Sequence, residues 1–464
     1  MAKQPKSDDL QTIRIPWIGN PTNRDTVTSK DQRFLNVYFD ILKSVEGTKY
    51  YYLVKRPGYA SLNQPPAGAA TGRGIYSWKS NVYSVFGTKI YKGTTDLGVT
   101  LTTSTGLCFF EESHPAASSQ YLSINDGVRL YIINTSDVVI EMPNLTITDI
   151  SVANPSVITT SASHGLTTGS QVYIAGSNST PTVDGLRTIT VTAVNKFSVT
   201  VNVTIQGTTG TVGTFPTPNT RSLIFFDRYL FTNTTTGAIY QCDLDTPYVW
   251  NSTKVIYPNM FNGTGIALGH QNNLIFGLGS NFLQAFFDNA NTSGSVLTNV
   301  EQAAQQMGCA STDSLFHEEG RMIWVGQAET GGYTVRTMEG STGLSEISTP
   351  GINRILRGEG TSISSANGKF IRIGGHSFYI LKLAGQDRTL VYDFEAELWL
   401  EWTNTAGTGA FPLVDYTQHN NTLLGQHATD GRVYTLSEGT YQDNSVSFPV
   451  SGRFTRLDLD DQRR

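Results

Sequence analysis

The chain has 464 residues, enough for two or three ordinary domains or for one large repeat domain with insertions. Its net charge is −5 and its charged residues are only 15% of the total, which excludes a chain-wide basic footprint for nucleic acid, because phosphates are repelled by an acidic surface. No stretch approaches the ~20 consecutive apolar residues of a membrane helix.

Glycine (45), tyrosine (21) and phenylalanine (22) are abundant, and Ser, Thr and Asn fill much of the rest, a mixture that favours strands and tight turns over helices. The three cysteines, Cys108, Cys242 and Cys309, are far apart and odd in number. They form neither a disulfide framework nor a CxxC metal pair and read as buried, reduced thiols. The first residues, Met1 to Asp9, lack the apolar core of a signal peptide, so synthesis is expected in a reducing cytoplasm.

In chain order, residues 1–65 read as an N-terminal arm that completes a ring or contacts a neighbour. Short apolar patches (Ile15-Pro16-Trp17-Ile18, Phe34 to Phe39, Tyr50 to Val54) alternate there with charges and prolines, and Arg56-Pro57-Gly58 marks a turn at the end. From residue 66 to 145 come the first blades of a repeat. Gly74 to Gly87 holds an alternating apolar/polar run, a polar turn and a second run, and similar copies begin near Ser119, Ser222, Gly265, Ser314, Gly375 and Asp415. Asn125-Asp126-Gly127 sits between Tyr121–Ile124 and Val128–Tyr131 as a hairpin turn that tolerates positive φ.

Residues 146–216 break the pattern: charge almost disappears and Val, Ile and Thr dominate, as in Thr188 to Val194 and Phe197 to Val201, which reads as a small all-β domain inserted into the ring. The repeats resume over 217–440. Thr298 and Glu301 form a capping-box pattern ahead of Gln302 to Met307, which predicts a short helix stopped by Gly308. Residues 441–464 end the chain in an alternating, strand-like run and then charge, a distal contact segment. The spacing of the copies, about 35–60 residues, brackets one four-stranded blade, so the predicted fold is all-β: a β-propeller of about six to seven blades with a small all-β insertion.

The residues that carry chemistry elsewhere are sparse. Asp393, Glu395 and Glu397 alternate, and on a strand they would share a face at about 6–7 Å, near the carboxylate separation of a glycosidase. The plainer reading ends a strand at Asp393, puts Glu395 and Glu397 in a hairpin turn and starts the next strand with Trp399 and Trp402. His317-Glu318-Glu319-Gly320 lacks the second histidine of a zinc motif, and His114, His164, His270, His376, His419 and His427 are scattered, so turn or surface packing is expected for each. Gly277-Leu278-Gly279 and Gly374-Gly375 open no helix and cradle no phosphate, and Gly106, Gly185 and Gly210 read as turn residues. The sequence assigns no catalytic, cofactor-binding or metal-binding residue.

Three ordered blocks, Arg73 to Val85 with Gly87 to Gly93, then Asn273 to Ser280 with Phe286-Phe287, then Leu390 to Asp393 with Trp399, stand out over some 300 residues. In that order they resemble the packaged-DNA stabilisation proteins, or tail nozzle proteins, of short-tailed (podovirus-like) bacteriophages. The insertion resembles a small module of phage tail proteins through Asn154-Pro155, Thr160, His164 to Gly169 and Asn195-Lys196-Phe197. Against that resemblance, the C-terminus is expected to stop short of the distal tip domain of longer relatives.

The resemblance implies a structural virion protein with no enzymatic activity. It would form a homohexamer below the portal and adaptor (head-tail connector) rings, with needle, tip or fibre proteins around or below it, retaining packaged double-stranded DNA and then conducting it. Contact with that DNA would be non-specific, and six subunits at −5 each would give a net negative bore with a few Arg or Lys rings. Two other classes stay open from the residues alone: a glycan- or receptor-binding propeller protein of the tail, in which the insertion or a propeller rim holds sugar on aromatic faces, and a propeller hydrolase using the 393–397 carboxylates.

Overall fold

The structure, a computed structural model, describes residues 33–43, 49–62, 68–114, 120–259, 263–318, 320–329, 332–340 and 343–453. The apolar patch Ile15–Ile18 and the charged end beyond Arg453 therefore lie outside the described residues.

Among the described residues, seven antiparallel blades of four strands each follow one another. Their innermost strands are Gly72–Trp78, Phe109–Ser113, Ile224–Phe226, Gly265–Gln271, Phe316–Glu318, Asn367–Ile373 and Leu413–His419, which we take as blades 1 to 7. The all-β propeller anticipated from the repeats is the fold. Two of the repeat copies mark a second strand instead of a first: the copy near Ser119 is Tyr121–Asn125 of blade 2, and the copy near Gly375 is His376–Leu383 of blade 6.

Period-2 alternation explains the ring. Successive side chains on a strand leave on opposite faces of the blade and so enter different inter-blade cores. In blade 4, Ala267, Phe276 and Ala285 pack toward blade 5, whereas their neighbours Leu268, Ile275 and Phe286 pack toward blade 3. The same alternation yields seven apolar seams, one between each pair of adjacent blades, and the seam of blades 7 and 1 (Leu424, Val433, Ile75, Phe86, Tyr91) closes the circle. Facing the channel, the free edge of each inner strand needs hydrogen-bond acceptors. Side chains of the preceding blade supply them: Asp415 Oδ2 accepts from the Ile75 amide at 3.0 Å, Glu111 Oε1 from Phe225 at 2.9 Å and Ser222 Oγ from Leu268 at 3.1 Å.

The chain ends seal this ring. Blade 7 consists of Leu413–His419, Thr422–His427 and Val433–Ser437, and its fourth strand is Gly58–Ser61 from the N-terminal arm, in register Tyr434↔Ser61 to Ser437↔Gly58. On blade 6, Arg33–Leu35 runs parallel to the outermost strand, Leu398–Trp402, and Ser451–Arg453 pairs antiparallel with Arg33–Leu35. Between these two arm strands a hairpin, Val37–Lys43 with Lys49–Lys55, forms a two-stranded sheet of its own.

The insertion leaves the ring between blades 2 and 3. Its strands run from Leu145–Ile150 to Thr211–Val212 around a separate core that includes Ile158, Val172, Ile174, Phe197 and Val212. It enters and leaves at neighbouring points, since the Asn144 amide donates to Gly213 O at 2.6 Å. It also extends blade 2, because Gln171–Ala175 lies parallel to Val139–Met142 at Ile140↔Gln171. Glu141 is buried at this junction, where Arg129 (3.2 Å) and the Thr167 amide (3.4 Å) reach its carboxylate; burial nevertheless pushes the carboxyl above its usual range.

The helix expected at Gln302–Met307 is not there. Leu297–Gln305 is the outermost strand of blade 4, paired with Leu283–Asp288. A capping box offers a few tenths to ~2 kcal/mol, whereas the sheet edge offers a ladder of backbone bonds together with burial of Leu297 and Ala303. The α-helix among the described residues is Pro350–Gly358, with Thr349 as N-cap and proline in the first turn. Its Ile352, Ile355 and Leu356 fill the seam between blades 5 and 6.

Candidate functional site

Polar chemistry gathers where the arm, blade 6 and the C-terminal segment meet. Arg56 and Asp443 lie 387 residues apart in sequence, and both side chains are fully buried. Nη1 donates to Oδ1 at 2.9 Å and Nη2 to Oδ2 at 2.6 Å, a bidentate pair. Nε donates to Asn36 Oδ1 at 2.9 Å, and Nη1 and Nη2 also reach the carbonyls of Pro57 (3.0 Å) and Thr403 (3.2 Å). The guanidinium plane lies 3.7 Å from the Phe448 ring centre and 4.6 Å from that of Phe411. Asn36 adopts positive φ (57°), which asparagine tolerates, and its amide nitrogen donates to Thr403 Oγ1 (2.7 Å) and Pro449 O (2.8 Å). One buried cation thus joins the arm, the end of blade 6 and the C-terminal segment.

Next to it, Arg33 and Arg388 both engage Glu401, at 2.8 Å and 3.0 Å. A polar cleft of about 270 Å³ opens beside them, lined by Asp387, Thr403, Gly407 and Gly409 as well. Its two arginines face two carboxylates, so it carries no net charge to select an anion or a cation.

On blade 6, Asp393 ends the strand Arg388–Asp393, Glu395 and Glu397 occupy the turn, and Leu398–Trp402 follows with Trp399 and Trp402, as the plainer sequence reading expects. The three carboxylates do not converge on a cleft. Asp393 is buried, with Oδ1 accepting from the amides of Glu395 (3.0 Å) and Ala396 (3.3 Å), and both oxygens stand 3.0–3.1 Å from His376 Nδ1. Glu395 folds back so that Oε2 accepts from the Ser377 amide at 2.6 Å. Glu397 sits in the turn at positive φ, exposed. Burial pulls the His376 imidazole down and its bond to Asp393 pulls it up, with a net rise.

The other histidines are placed as turn or packing residues. His164 is buried in the insertion, Nδ1 accepting from Leu166 N at 2.9 Å and Nε2 meeting Ala193 O at 3.0 Å. His114 meets Glu112, His419 meets Ser77, and His427 accepts from the amides of Thr429 and Asp430. His270 packs on Phe226, and burial lowers it and also brings His317 down to about 4. Cys108, Cys242 and Cys309 are free and buried, their thiols pushed up to about 12 by burial, so they are poor nucleophiles.

A ring of four-stranded blades closed by a strand from the opposite end of the chain defines a β-propeller. The chain belongs to the family described as Phage_stabilise, Bacteriophage P22 Gp10, beta-propeller, which matches residues 30–441. It is accordingly a bacteriophage structural protein. Two solved structures are among those to which the chain is similar at low score. The computationally designed Ika8 protein is 11% identical, with 82% of this chain and 98% of that one covered and a TM-score of 0.37. BamB from Moraxella catarrhalis is also 11% identical, with 83% and 99% covered and a TM-score of 0.37. No curated protein matches. Among the described residues no helix is long and apolar enough to cross a membrane.

Proposed function

We propose that this chain is the nozzle of a short phage tail. It extends the DNA channel below the portal and adaptor rings, holds packaged genome in place and conducts it during ejection. It acts as a homohexamer, docked on the adaptor ring above, with needle, tip or fibre proteins around or below it. The observation that carries this reading is the match of the phage-stabilisation family over residues 30–441, which spans all seven blades and most of the arm.

The ring supports it physically. Seven apolar seams and a sealed closure give a body suited to repeated docking. The net charge of −5 per chain, repeated around a channel, gives DNA a wall it does not stick to. The charged cleft beside blade 6 pairs Glu401 with Arg33 and Arg388, and Asp393 and Glu395 lie outside its lining, so the carboxylates that alternate in sequence do not meet there. Enzymatic activity is therefore no part of the proposal, and the protein works in the virion after synthesis in the host cytoplasm.

The test is genome retention. Phage particles assembled without this protein are expected to fill their heads and then lose the DNA to added nuclease, with retention restored when purified protein is added back. Heads that keep nuclease-resistant DNA and infect normally without it would overturn the proposal.

A further inference from the structure

We propose that His376, Asp393 and Glu395 form a binding site for one divalent cation of the zinc–manganese class, set beneath the arm hairpin at the edge of blade 6. One ligand atom from each of the three residues falls within 4.8 Å of the others. That is close to the span of two metal–ligand bonds of ~2.1–2.4 Å. His376 Nδ1 stands 3.0 and 3.1 Å from the two Asp393 oxygens. Adjacent ligands at a right angle about one ion, with bonds of ~2.1 Å, are separated by about that distance.

The surroundings orient each ligand as an outer shell does around a metal. The His376 ring is held between Phe378, stacked at 5.6 Å, and Tyr38 of the arm, edge-on at 4.9 Å. Asp393 Oδ1 takes the two backbone donors of its turn, leaving Oδ2 directed at the imidazole. The Ser377 amide fixes Glu395 Oε2.

Charge provides a second, independent argument. Asp393, Glu395 and Asp40 of the arm all press on the same imidazole, and Glu438 adds its negative charge around Tyr38. One imidazolium neutralises one carboxylate. Arg321 of the adjacent blade 5 lies over the Phe394 ring at 4.2 Å and pairs with Glu339 at 2.8 Å, so its charge is already engaged. A divalent ion in place of the Nδ1 proton balances the cluster, and a mixed set of one imidazole and two carboxylates suits zinc or manganese. Its role would be structural: it ties both hairpins of blade 6 together directly under Tyr38, which anchors the arm.

Calorimetric titration of the full chain with Zn²⁺ and with Mn²⁺ at pH 7.5 tests the site. One saturable site per chain is expected for at least one of the two ions, with affinity at least tenfold weaker in both Glu395→Gln and His376→Gln. The exposed Glu395 is the variant least able to disturb folding, so circular dichroism of Glu395→Gln should match the parent. Absence of saturable binding of either ion below 1 mM free metal, or binding that survives in either folded variant, would overturn the proposal.

Discussion

Asp443→Ala should lower the stability of the chain by about 3–5 kcal/mol, the usual cost of leaving one member of a buried ion pair without its partner. Arg56 and Asp443 are both without exposed surface, and the pair is bidentate at 2.9 and 2.6 Å. Deleting the carboxylate leaves a guanidinium in the seam with only Asn36 and the Pro57 and Thr403 carbonyls to bond.

A second variant separates lost charge from lost packing. In Arg56→Met with Asp443→Leu no unpaired charge remains, and the two ring contacts of Arg56 with Phe448 and Phe411 are open to the methionine side chain. The double variant should be less destabilised than Asp443→Ala alone. Urea unfolding of the two variants beside the parent measures both effects. A change of under 1 kcal/mol for Asp443→Ala would show that the arm does not seal the ring as described.

Trp402→Ala is the second large effect, at about 3–5 kcal/mol. Trp402 is fully buried in the seam of blades 6 and 7, with its ring centre 5.4 Å from that of Phe378 and 5.5 Å from that of Phe411. Truncation removes an aromatic that the arm residues Phe34, Tyr38 and Phe39 pack around within one cluster. Its indole N–H has no hydrogen-bond partner among the described residues. Trp402→Phe therefore gives up some volume but also removes a buried donor that costs about 1–3 kcal/mol unpaired, and it should fall within about 1.5 kcal/mol of the parent. Equal losses for the two substitutions in the same unfolding series would contradict this account of the seam.

Much of the ring was legible because alternation is a local signal. Runs such as Ile275-Phe276 and Tyr83 to Phe86 show where successive side chains must part to opposite faces, and seven such copies gave the blades. The starts of blades 2 and 6 slipped by a strand, since their inner strands, Phe109–Ser113 and Asn367–Ile373, lie ahead of the copies marked near Ser119 and Gly375.

Leu297–Gln305 was misread since Thr298 and Glu301 satisfy a capping pattern, and nothing in the nine residues reveals the sheet edge waiting beside them. Conversely, Thr349-Pro350 ahead of Ile352, Ile355 and Leu356 carries the start signal of the real helix. The junction around Arg56 was beyond a sequence reading. Arg56-Pro57-Gly58 reads as a turn, and only the closed ring brings Asp443 to it. The same holds for His376 and Asp393, which lie 17 residues apart on adjoining strands.

Gly58 records how tight that closure is. A β-carbon there would collide with the carbonyl oxygen of Gln442, so the closing strand and the C-terminal segment meet with no room for a side chain. Ring closure, arm anchoring and the buried ion pair are thus one construction, and it matches the demand on a phage structural ring: to keep its shape under load.

The most direct measurement of the central claim is a cryo-electron microscopy reconstruction of the virion tail. The account predicts six copies of a seven-bladed disc around the DNA path immediately below the adaptor ring, each with Gly58–Ser61 as the outer strand of blade 7. A tail reconstruction in which that position is filled by another protein, or in which the blades form an open chain with the arm strand detached, would contradict it.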